Sequence, residues 1–107
     1  AYLESIILNL ISNALKYAHP DRNPVVKLET RTIDNFLILS LTDNGKGIDI
    51  EKYGKNIFGM YKTFHGNDDA KGIGLFITKN QVEAMGGDIS VTSEVGKGSV
   101  FEVLFKL

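Results

Sequence analysis

"FLILSLTDNGKGID", residues 36–49, decides how the rest of the chain is read. Its first eight residues alternate as a half-buried strand does, with Leu37, Leu39 and Leu41 on one face. Continued at period two, the alternation carries Asp43 onto that same apolar face. A carboxylate there loses hydration and needs hydrogen-bond partners in return. Gly45 and Gly47 follow within four residues, so backbone or a flat ring can approach it closely. An acceptor-only carboxylate at the floor of a pocket suits an exocyclic amine, and adenine fits that description. "DNG" is also a common tight-turn sequence, and taken alone it serves a hairpin tip equally well.

Outward from this strand, "VVKLETRT" at 25–32 and "FLILSLTD" at 36–43 join through Ile33-Asp34-Asn35, which predicts an antiparallel hairpin. Upstream, "LESIILNLISNALKYA" at 3–18 sets Leu3, Ile6, Ile7, Leu10, Ile11, Ala14, Leu15 and Ala18 at helical spacing. Pro20 and Pro24 in "HPDRNP" end that helix. Residues 49–71 lack a clean period and carry Gly54, Gly59 and Gly66, which reads as a lid or binding loop. A second helix is expected from about Gly72 to Met85, stopped by Gly86-Gly87. "DISVTSE" and "SVFEVLFKL" form a closing hairpin around Gly96-Lys97-Gly98. The order implies one α+β domain over residues 1–107, a two-layer sandwich with helices on one face of a mixed or antiparallel sheet. With Ala1 first and a helical pattern by Leu3, it reads as a piece of a longer protein.

Composition narrows the chemistry. A net charge of −1 gives no footprint for nucleic acid or an anionic membrane. Without cysteine there is no disulfide or thiolate metal site. Two histidines far apart, His19 and His65, do not make a zinc site. No apolar run approaches the roughly 20 residues that span a bilayer.

Two further constellations bear on chemistry. Asn9, Asn13 and Lys16 fall within an arc of about 60° on the first helix, at the border of its apolar stripe. An amide oxygen can ligate Mg²⁺ and an ammonium suits a phosphate, although three such residues also make an ordinary solvated face. "AKGIGL" at 70–75 opens the second helix, where free amides make an anion site. It has neither the P-loop pattern nor GxGxxG after a strand, and alone it is equally a flexible turn.

Taken in order, "NLISNALKY", "DNGKGI", "IFGMYKTFHG", "AKGIGL" and "GGDISVTSEVGKGSVF" resemble the N, G1, F and G2 boxes and closing hairpin of one family. That family is the catalytic ATP-binding domain of bacterial sensor histidine kinases, of the wider superfamily with gyrase, Hsp90 and MutL and its Bergerat-type fold. The resemblance covers almost the whole chain. It implies that Asp43 receives the adenine amino group, with Gly45, Gly47 and Ile48 shaping the base pocket. It implies that Asn13 ligates Mg²⁺ supported by Asn9, and that Lys16 and Tyr17 reach toward phosphate or ribose. Phe58 and Tyr61 match aromatic positions of the F box. Gly72 and Gly74, flanked by Ile73 and Leu75, match the G2 box, whose backbone amides meet the phosphates. Lys62, His65 and Lys71 are basic lid residues suited to phosphate, or mobile surface charge. Ala70 stands for the usual first glycine of the G2 box and Phe76 for a small residue, so lid geometry can differ.

The implied activity is transfer of the γ-phosphate of MgATP to a histidine on a separate dimerisation domain, feeding a response regulator. His19 precedes a proline and His65 lies in "FHGN", so neither has the helical, acid-flanked setting of an acceptor. An ATPase of the same superfamily activates water with a glutamate four residues before the metal-binding asparagine. Here that position is Asn9, an amide that cannot act as a general base. A nucleotide-binding module without chemistry of its own is the remaining alternative. A cytoplasmic location follows from the resemblance, whether or not the parent protein is anchored in a membrane.

Overall fold

The computed structural model describes residues 2–49 and 73–106. Helix α1 (Tyr2–Lys16) leads into strands β1 (Val26–Ile33) and β2 (Phe36–Asp43). Helix α2 (Ile73–Ala84) follows, then β3 (Asp88–Glu94) and β4 (Gly98–Lys106). The four strands form one antiparallel sheet in the order β1-β2-β4-β3. The last strand is therefore inserted beside the second.

Both expected hairpins form. Asp34, at φ 53°, turns β1 into β2. Short polar side chains tolerate that left-handed region better than most. The β3–β4 turn spans residues 95–97, closed by the Glu94–Gly98 pair. The register aligns the four strands at one end of the sheet. Val26 lies opposite Asp43, Asp43 opposite Ser99, and Ser99 opposite Ser93. One row across the helix-facing side thus ends in a carboxylate and two hydroxyls.

Period two on the strands builds the core. Leu39 and Leu41 of β2, Phe101, Val103 and Phe105 of β4 and Ile89 of β3 face the helices. Ile6, Leu10 and Ala14 of α1 and Leu75 and Val82 of α2 pack onto them, with Ile48 at the edge. Helices on one sheet face are as the sequence order implies. The apolar stripe of α1 is narrower than its period suggests, because Leu3 and Leu15 are exposed. The helix closes at Lys16 instead of Ala18, where the amide of Ala18 turns to Leu15 in a tighter three-residue step.

At the end of α2, Gly86 adopts φ 77°. Its amide donates to the Glu83 carbonyl and that of Gly87 to the Val82 carbonyl, both at 3.0 Å. That double closure is the glycine stop expected after Met85. On the other face of the sheet, Arg31 and Glu102 meet at 3.3 Å over Ser40.

Candidate functional site

Asp43 is the last residue of β2, and its surroundings follow from the register. The Gly45 amide donates to Asp43 Oδ1 at 2.9 Å, and the Ser99 amide also reaches the carboxylate. Burial pushes the carboxyl above its ordinary value of 3.8, and these two amides oppose the shift without cancelling it. The group is half-buried and only partly satisfied by the protein. It is built to accept a further donor.

Three sequence segments converge around it. The Lys46 amide donates to the Tyr17 carbonyl at 2.9 Å, joining the end of α1 to the loop after β2. The Gly96 amide donates to the Lys46 carbonyl at 2.7 Å, joining the same loop to the β3–β4 turn. Ser93 Oγ accepts from the Ile48 amide at 2.7 Å and lies 2.8 Å from the Gly98 carbonyl and 2.7 Å from Ser99 Oγ. A hydroxyl has one proton. With that of Ser93 committed to the carbonyl, Ser99 is the donor between the two serines. Ser93→Ala leaves the Ile48 amide without its partner in a half-buried setting. The expected loss is about 1–3 kcal/mol, read as a lower urea midpoint at unchanged slope.

The two loop glycines also admit the protein's own backbone. A side chain on Gly45 would meet the Tyr17 carbonyl at 2.6 Å, and one on Gly47 the Glu94 carbonyl. Here it is backbone of α1's end and of the closing hairpin that approaches closely.

The other expected site residues divide into groups. Asn9 and Asn13 are half-buried along α1 and Lys16 is exposed at its end, its ammonium 5.9 Å from the Tyr17 ring centre. The Tyr17 ring packs partly against the core. The contacts of Tyr17 bring this end of α1 beside the Asp43 loop, with Asn13 one turn back. Ile48 and Leu75 put their side chains into the core, so backbone is what they present. Ile73 and Gly74 open α2, which packs beside α1. Phe58, Tyr61, Lys62, His65, Ala70, Lys71 and Gly72, with the expected lid beyond Asp49, lie outside the described residues.

Two residues gave no sequence signal. Asn44, read as part of a turn, accepts from the Val25 amide at 2.8 Å and donates to the Asn23 carbonyl at 3.0 Å. It latches the entry of β1 to the exit of β2. Arg22, in the loop "HPDRNP", donates to three backbone carbonyls at once. A lone arginine in a polar loop has no pattern that foretells backbone partners.

Comparison with known proteins agrees with this fold. The family model described as histidine kinase-, DNA gyrase B-, and HSP90-like ATPase matches residues 1–107. The aerobic respiration control sensor protein ArcB of Escherichia coli K12 is 41% identical over 105 residues, 92% of this chain and 13% of ArcB. The signal transduction histidine-protein kinase ArlS of Staphylococcus aureus USA300 is 30% identical over 105 residues, 95% of this chain and 23% of ArlS. Full-length ShkA, solved in complex with AMPPNP, superposes with a TM-score of 0.80 at 30% identity, covering 97% of this chain and 21% of ShkA. The mycobacterial sensor histidine kinase MprB gives 0.80 at 25% identity, over 98% of this chain and 70% of the solved chain. The chain belongs to this ATPase family, in the form of the catalytic ATP-binding domain of sensor histidine kinases. It spans less than a quarter of the length of either curated relative.

Proposed function

We propose that residues 1–107 bind MgATP and present its γ-phosphate to a histidine on the dimerisation domain of a longer sensor kinase. From there the phosphate passes to a response regulator. The observation that carries this is Asp43, a half-buried carboxylate fixed by two backbone amides with acceptor capacity left over. Adenine's exocyclic amine satisfies that remaining capacity. Likeness to ShkA, solved with AMPPNP, supports the same ligand class.

In this reading Gly45, Gly47 and Ile48 border the base. Asn9, Asn13, Lys16 and Tyr17 line the phosphate side with Ile73, Gly74 and Leu75 at the start of α2, while Tyr61, Lys62, Lys71 and Gly72 carry their nucleotide-binding assignment from the family resemblance alone. No group of three or more carboxylate or histidine side chains that could hold a metal exists among the described residues. A donor set of one asparagine oxygen with phosphate oxygens fits Mg²⁺, which keeps several waters and uses few protein ligands. Asn13 would hold the ion, which would supply charge neutralisation to the phosphates. The protein's own part is positioning and charge complementarity, as phosphoryl transfer requires. No helix among the described residues is long and apolar enough to cross a membrane. A cytoplasmic setting, where ATP and response regulators meet, is part of the proposal.

Asn9 separates kinase from ATPase, since an amide cannot deprotonate water. The test is incubation with γ-labelled ATP and Mg²⁺, with and without the histidine-bearing domain of the same protein. The expected result is label on one histidine of that domain, acid-labile and alkali-stable, and slow phosphate release by this chain alone. Brisk release with no label transferred overturns the kinase reading in favour of the ATPase.

A further inference from the structure

We propose that Arg22 is a positioning residue of the nucleotide site, fixing Asp43 through the Asn44–Gly45 peptide group. The proposal rests on the adenine-binding reading above and adds to it the device that holds the carboxylate in place.

The geometry is a clamp. Arg22 Nε donates to the Asn44 carbonyl at 2.7 Å, and Nη2 donates to the Gly45 carbonyl at 3.1 Å and the Gly96 carbonyl at 2.6 Å. The Asn44 carbonyl and the Gly45 amide belong to one planar peptide group. That amide donates to Asp43 Oδ1 at 2.9 Å. A single rigid plane is thus held by a cation at its oxygen and by the carboxylate at its N–H. Rotating it breaks both bonds together. A cation at the carbonyl also polarises the peptide and strengthens its N–H as a donor.

The loop needs such a device. Gly45 and Gly47 leave the chain between Asn44 and Ile48 with more backbone freedom than other residues would. The closing turn is tied at two successive peptide groups, because Gly96 donates its amide to Lys46 and accepts Arg22 at its carbonyl. Arg22 therefore spans the segments that meet around Asp43. A planar fork reaches several carbonyls in fixed directions, which a lysine ammonium does not reproduce. An arginine that merely stapled loops together would leave the Gly45 amide and the carboxylate unaffected.

The test uses the full chain with Arg22→Ala and Arg22→Lys, ADP titration, and the amide resonance of Gly45. Arg31→Ala, which removes an equal charge from the opposite sheet face, is the control. Arg22→Ala is expected to move the Gly45 amide proton upfield and to weaken ADP binding about tenfold, the scale of one charge-assisted hydrogen bond. Arg22→Lys should restore part of each, and Arg31→Ala should change neither. A folded Arg22→Ala chain with an unmoved Gly45 resonance, or with a moved resonance and unchanged ADP affinity, overturns the proposal. If Arg22→Ala does not fold, Arg22→Lys keeps the charge, loses the fork and carries the same two readouts. If the unaltered chain fails to bind ADP, the adenine reading falls, and the Gly45 resonance still decides whether the clamp exists.

Discussion

Asp43→Asn is expected to weaken binding of ADP and ATP about tenfold or more while leaving the chain folded. The substitution keeps the size of the side chain and turns an acceptor into a group that is half donor. Facing an exocyclic amine, the new amide nitrogen leaves two donors opposed and unpaired. A polar group stranded in this way costs about 1–3 kcal/mol. Folding should suffer far less, because the asparagine oxygen still accepts from the Gly45 amide and the buried charge is gone. The same carboxylate gives a pH test whose two parts have opposite signs. Burial raises its pKa, so the ionised form that binds is lost on acidification at a pH above that of an ordinary aspartate. Folding stability moves the other way: a group with a raised folded pKa contributes most when protonated, and that contribution disappears as pH rises. Isothermal titration against pH, beside thermal unfolding of the ligand-free chain, reads both. Unchanged nucleotide affinity in Asp43→Asn would remove the adenine assignment.

Gly47→Ala should be the most destabilising of the glycine substitutions in the loop. Its φ of 75° lies in the left-handed region, and an added Cβ would fall against the Glu94 carbonyl. The conformational strain is about 1–2 kcal/mol and the overpacking about 1–3 kcal/mol, because a carbonyl in a paired strand cannot step aside. A lowering of the melting temperature by roughly 10 °C or more is expected for a domain of this size. Gly96→Ala is the matched control. It has a similar φ of 83° and open space where the methyl would go, so only the strain remains. Equal melting points for the two variants would show that the hairpin does not press on this loop as described.

What the sequence made legible follows from which signals are local. The alternation in 36–43 and its extension to Asp43 need only the period of a strand, and both hairpins need only turn residues and short spacing. The glycine stop after α2 is likewise written in adjacent residues. The insertion of β4 between β2 and β3 is not, because the pairing of Asp43 with Ser99 joins segments whose local patterns contain no reference to each other. The roles of Arg22 and Asn44 are not written locally for a related reason. Their partners are backbone carbonyls and amides, which every residue owns, so no side-chain pattern marks them. The glycines at 45 and 47 were legible as a demand for bare backbone. What presses on them, a helix end and a hairpin, is visible only in three dimensions.

The strand order also has a consequence for how the chain is made. During synthesis β2 emerges with β1 and then waits about 55 residues for β4, its partner on the other edge. At ribosomal rates of about 5–20 residues per second, that is roughly 3–11 s. Throughout this interval "FLILSL" offers an unpaired edge that is apolar, β-prone and uncharged, the composition that seeds intermolecular strand pairing. The edge that ends up in the middle of the sheet is therefore the one most exposed to misassembly before β4 arrives.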